Sequence, residues 1–133
     1  MIYNALIIEL DEDVEEAVLL EVRGIQMKCF ASSCPYPVDV GSWYPVEFKL
    51  TVFDKYQVDQ VKGGQGEEIR KLNGGFSYEI IGRINCIGFE SMGVVFSDDF
   101  LAKEYSYLKG YLVALKVDRL DVEFVDRLVF VRS

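Results

Sequence analysis

From Tyr44 to Phe53 apolar and polar side chains alternate, and this run constrains the fold more than any other stretch. Tyr44, Val46, Phe48, Leu50 and Val52 fall on one side; Pro45, Glu47, Lys49 and Thr51 fall on the other, with Phe53 the apolar exception. Successive side chains of a pleated strand point to opposite faces, so a period of two marks a strand with one dry and one wet face. A helix cannot use this pattern, because its apolar stripe repeats every three to four residues.

Other segments repeat the signal. Residues 2–10 read as a strand broken by Asn4. In 17–22, Val18, Leu20 and Val22 alternate with Leu19, Glu21 and Arg23; after Gly24 the phase changes, and Ile25, Met27 and Cys29 become the apolar set. A glycine at a phase change predicts a bulge or a strand bend. Pro35, Pro37 and Gly41 make 31–43 a loop. Asn73-Gly74-Gly75 predicts a turn before a strand over 76–86, with Phe76, Tyr78, Ile80, Ile84 and Cys86 toward the core. A short strand follows at 92–96. Ser97-Asp98-Asp99 is helix-start chemistry and Gly110 a stop, predicting one short helix near 98–109. The last strand, 111–125, changes phase at Asp118-Arg119, which predicts a second bulge or tight turn.

These elements give an all-β or β-rich α+β chain: a small, antiparallel, bent-strand barrel of six or seven strands plus the short helix. Closing a sheet hides its edges, and bulges supply the curvature. A length of 133 residues, half of them apolar and 14% aromatic, suits a single domain over 1–133 with one core. The strand spacing across about 17–125, with the Gly24 bend and the Val40-Gly41 turn, resembles an oligonucleotide/oligosaccharide-binding (OB) barrel. That resemblance implies a ligand-binding barrel; a β-sandwich or an open sheet carrying one helix also fits the pattern.

Charge narrows the partners. Twenty-two acids against fourteen bases leave −8 with no histidine, a field that repels polyanions. Glu9 through Glu21 holds seven carboxylates and no base, with Asp11, Glu12, Asp13, Glu15 and Glu16 nearly contiguous. A solvated turn is one reading of that run, and a docking patch for a basic protein is the other. No apolar run approaches the ~20 residues that span a bilayer, and 1–10 lacks a basic start, so a cytoplasmic chain with no membrane association is expected. Three cysteines, Cys29, Cys34 and Cys86, fit reduced thiols, with a Cys29–Cys34 disulfide the geometric alternative.

Chemistry is sparse. Without histidine, the common zinc sites cannot assemble from three cysteines, so neither a metal nor another cofactor is expected. Ser106 to Lys109 matches Ser-x-x-Lys but lacks its companion motifs. Asp98 and Asp99 suit a helix cap. Gly63-Gly64-Gln65-Gly66 leads into Glu67 and Glu68, which oppose a bound phosphate. The expectation is therefore no enzyme. Tyrosine and tryptophan are favoured interface anchors, which singles out Tyr36, Trp43, Phe53, Tyr105 and Tyr107 beside the acidic run. The leading reading is a non-enzymatic acidic module that binds a protein partner, similar in size and charge to immunity proteins and toxin inhibitors. The alternative is an OB-like domain that binds a small ligand or single-stranded nucleic acid. Homo-oligomers are compatible with both.

Overall fold

The computed structural model describes residues 1–126. Eleven strands form there: β1 (Ile2–Leu10), β2 (Ala17–Val22), β3 (Ile25–Ser33), β4 (Trp43–Thr51), β5 (Gln57–Gln60), β6 (Glu68–Lys71), β7 (Tyr78–Ile84), β8 (Gly88–Ser91), β9 (Val94–Ser97), β10 (Val113–Val117) and β11 (Arg119–Phe124), with α1 (Asp99–Glu104) between β9 and β10. The count exceeds the six or seven expected. β5, β6 and β8 are four residues long, too short for a period of two to show, and the single strand expected at 111–125 is two strands meeting at Asp118.

Five strands hydrogen-bond in a ring: β1 to β2, β2 to β3, β3 to β11, β11 to β4, and β4 back to β1. From β4 the sheet continues through β9, β8, β7 and β10 to β5, while β6 lies on β7. The sheet is mixed rather than antiparallel, since β3–β11 and β4–β9 run parallel. Parallel neighbours need long connections, so no local pattern announces them.

The alternation holds from Val46 to Thr51 and departs at its ends: Pro45, expected on the wet side, is buried between Asn4 of β1 and Val125, and Val52, expected on the dry side, is half-buried past the end of β4. Tyr44, Val46 and Phe48 are fully buried and Leu50 nearly so, facing Tyr3, Ile7, Leu20, Met27 and Leu120 in one continuous core. Glu47, Lys49 and Thr51 lie half-buried outside, where Lys49 pairs with Glu123 at 3.0 Å. Gly24 is not a strand bend. Arg23 (φ 51°) and Gly24 (φ 78°) form a two-residue hairpin turn closed by Val22 opposite Ile25, the handed turn that suits twisted strands. Met92 and Gly93 repeat it between β8 and β9. At Gly82 closeness decides instead, because a Cβ there would lie 2.2 Å from the Glu90 carbonyl oxygen.

Asp118 is the bend expected from the phase change: its N–H donates to the Thr51 carbonyl (3.1 Å), and its carboxylate accepts the Phe53 N–H (2.7 Å). The helix expected over 98–109 is shorter. α1 is capped by Asp98, whose Oδ1 accepts the Leu101 N–H, and Tyr105 separates it from a 3-10 turn at Ser106–Leu108. Cys29 is buried as expected of a small core residue, whereas Cys86 is exposed, past the end of β7. Cys29 and Cys34 are both free thiols. No helix among the described residues is long and apolar enough to cross a membrane.

Candidate functional site

Ring closure brings the β1–β2 loop beside the segment that follows β3. Asp11 opens that loop as a side-chain turn: its Oδ1 accepts the N–H groups of Asp13 (2.8 Å) and Val14 (2.9 Å). These two donors hold its carboxyl below the usual range, so it stays ionised, and Glu12 and Glu15 stand exposed next to it. Across the gap, Tyr36 is pinned by its own hydroxyl, which donates to the Val125 carbonyl at 2.5 Å. Its ring stacks on Tyr44 at 5.9 Å and meets the edge of Phe124 at 6.5 Å. The Tyr44 hydroxyl accepts the Asp39 N–H (2.7 Å), which fixes the loop beyond.

Between these walls lies a groove of about 620 Å³. Its lining is apolar at depth, with Val18 and Phe124 buried, and anionic at the rim, with Asp11, Glu12 and Glu15 exposed. A second hollow shares Tyr36 with it and adds Asp39 and Asp126. Among the described residues, no lysine or arginine lines either one. Cys34 also lines the groove, donating to the Tyr36 carbonyl at 3.1 Å; desolvation raises its thiol pKa, so it is a protonated wall group rather than a ready nucleophile. Such a surface can accept a cationic side chain at the rim and an apolar one beneath it.

The structure thus brings together Tyr36 with Asp11, Glu12 and Glu15. Asp13 and Glu16 belong to the same loop but do not line the groove. The other aromatic candidates go elsewhere. Trp43, 54% exposed, lines a separate cleft of about 460 Å³ with Tyr3 and Arg23. Phe53 extends beside Arg119. Tyr105 and Tyr107 join Tyr56 and Phe100 around α1.

One surface escapes the sequence reading. Lys28 lies over Phe76 (5.4 Å), Phe76 meets Phe30 edge to face (5.7 Å), and the Arg119 guanidinium covers Phe30 (4.0 Å) and approaches Phe53 (5.6 Å). Phe76 precedes β7 and is half-buried, not the core residue expected. No sequence signal joins Phe30 to Arg119, since a parallel pairing puts them on adjacent strands. Arg119 is committed: its Nε and Nη2 donate to the two oxygens of Asp121 at 2.6 and 3.0 Å, and Thr51 Oγ1 donates to the same carboxylate at 3.0 Å.

No group of three or more metal-ligating side chains occurs among the described residues. No curated protein and no solved structure matches the chain. A family model does match it, over residues 1–125, and the chain belongs to that family, described as Uncharacterised conserved protein UCP019853.

Proposed function

We propose that the chain is a non-enzymatic interaction module whose groove between the β1–β2 loop and Tyr36 takes a basic segment of a partner protein. The observation that carries this reading is the pairing of a buried apolar lining with a rim of Asp11, Glu12 and Glu15, with no lysine or arginine among the described residues that line the groove itself; Lys28 and Lys71 line the neighbouring hollow on the far side of Asp11 and Val18. Carboxylates at a rim steer a cationic partner and set register, while the apolar depth supplies residence. The walls are already fixed by the Asp11 turn and the Tyr36–Tyr44–Phe124 ring contacts, so little ordering is lost on binding. The overall charge of −8 adds long-range attraction of the same sign.

The test is titration of a labelled Lys/Arg-Leu peptide followed by fluorescence anisotropy. Binding should weaken as salt rises, and Glu12→Gln/Glu15→Gln should raise Kd about tenfold, the effect of losing two rim charges at roughly 0.7 kcal/mol each. A peptide that fails to bind, or binds the variant equally well, overturns the reading.

A second reading rests on the Lys28–Phe76–Phe30–Arg119–Phe53 ladder. Rings interleaved with cations outside a strand ring of five members suit an OB-like barrel that holds single-stranded nucleic acid. It ranks second for physical reasons: the ring faces already carry Lys28 and Arg119, and Arg119 is neutralised by Asp121. Salt-sensitive binding of oligothymidine, lost in Phe53→Ala, would reverse the ranking.

A further inference from the structure

The chain carries a segment with the chemistry that the groove accepts. Residues 127–133, outside the described residues, read Arg-Leu-Val-Phe-Val-Arg-Ser: four consecutive apolar side chains between two arginines, with no acid. The fold delivers this segment to the groove. β11 ends at Phe124, which lines it. Val125 is then fixed on both sides, its N–H donating to the Pro45 carbonyl at 3.0 Å and its carbonyl accepting the Tyr36 hydroxyl at 2.5 Å. Asp126 lines the adjoining hollow together with Tyr36, so Arg127 follows directly on the Tyr36 wall. Seven extended residues reach at most about 25 Å, ample to cross a groove of about 620 Å³.

We propose that residues 127–133 are the groove's own occupant in the free chain, a built-in competitor that a partner's basic segment must displace. This rests on the groove reading above and adds its regulation. The apolar run matches the apolar depth, and the two arginines match the rim of Asp11, Glu12 and Glu15. The other hollows suit them less: the Trp43 cleft holds Arg23, and the one beyond Val18 holds Lys28 and Lys71. Attachment at Asp126 sets an effective concentration on the order of millimolar, so modest intrinsic affinity keeps the segment seated. A partner then meets only the open fraction of the groove, and its apparent affinity falls in proportion.

Cys34 lines the groove and Cys86 does not, so alkylation by uncharged N-ethylmaleimide, read by mass spectrometry, reports occupancy without any partner. Leu128→Ser/Phe130→Ser, made in the full chain, should speed Cys34 about tenfold and leave Cys86 unchanged, and should tighten the labelled Lys/Arg-Leu peptide about tenfold. Arg127→Ser/Arg132→Ser keeps every apolar residue and should move both readouts in the same direction. Excess synthetic Arg-Leu-Val-Phe-Val-Arg-Ser should slow Cys34 of either variant again. Equal Cys34 rates in the wild type and both variants overturn the proposal; if the labelled peptide also binds all three alike, the groove reading survives that failure. Should the peptide bind none of the three while Cys34 still speeds up in the variants, the groove reading falls and the segment stands as occupant. Protection of wild-type Cys34 that disappears on dilution would assign the segment to a neighbouring copy's groove and overturn the intramolecular arrangement.

Discussion

Tyr78 shows how one buried hydroxyl ties distant segments together. The ring belongs to β7 and is almost fully buried, yet its oxygen accepts the Lys28 N–H of β3 at 2.7 Å. Desolvation pushes its pKa up to about 12, against an ordinary value of 10.0. A raised folded-state pKa keeps the proton on in the native chain while the unfolded chain releases it, so stability is whole below pH 10 and declines as pH rises toward 12. Tyr56 is shifted the same way by burial and by Asp98, and adds to the decline. Tyr78→Phe should leave the Lys28 N–H without its partner and cost about 1–2 kcal/mol at neutral pH. It should also flatten part of the alkaline loss, as urea titrations at pH 8 and pH 11 would reveal. The alternation from Tyr78 to Ile80 made this ring readable as core. Its partner, fifty residues earlier, was not readable, because a hydroxyl leaves no periodic trace.

At the scale of elements, short pieces depend on their ends. α1 has six residues, too few to persist on propensity, and relies on its cap and on buried Leu101. Asp98 serves two purposes, accepting from Leu101 N–H and from the Tyr56 hydroxyl. Asp98→Ala should therefore cost about 1–2 kcal/mol, the upper range for a helix cap, while Asp99→Ala costs less; thermal denaturation compares the two. Ser97-Asp98-Asp99 was legible as a helix start because cap chemistry is local. The helix end was not, since Gly110 lies beyond a 3-10 turn that merely resembles continued helix in sequence. Gly24 misled for a related reason: a bend and a two-residue turn both need a positive φ, and only strand pairing distinguishes them.

The whole molecule is a strand ring continued by a second run of strands, and the buried side chains of both make one core. Phe48 lies at their junction, within 6.1 Å of the Tyr3 ring in β1 and 6.0 Å of the Phe96 ring in β9. Phe48→Ala should destabilise the chain by about 3–5 kcal/mol through its cavity. If the ring and its continuation are one cooperative unit, Trp43 fluorescence and far-ultraviolet circular dichroism should lose structure in a single coincident urea transition, in the wild type and in the variant. Two separated transitions would mean that the runs fold independently. Labelling by a thiol reagent adds a third probe: exposed Cys86 should react in the native state, Cys34 more slowly because desolvation keeps its thiol protonated, and Cys29, whose thiol burial pushes well above its ordinary range, only on unfolding.

By itself the sequence determined the β-rich class, the buried face of β4, the acid run from Asp11 to Glu16 and the tyrosine-rich composition. Each is written in neighbouring residues, where side-chain period and local charge act. Only the tertiary structure decided that Tyr36 stands across from Asp11, Glu12 and Glu15, that Arg119 covers Phe30, and that β3 and β4 each take a parallel neighbour. Those juxtapositions follow from ring closure, which pairs residues as far apart in sequence as Phe30 and Asp121 by backbone hydrogen bonds. Such bonds are the same for every side chain, so the residues that meet across them carry no sign of one another.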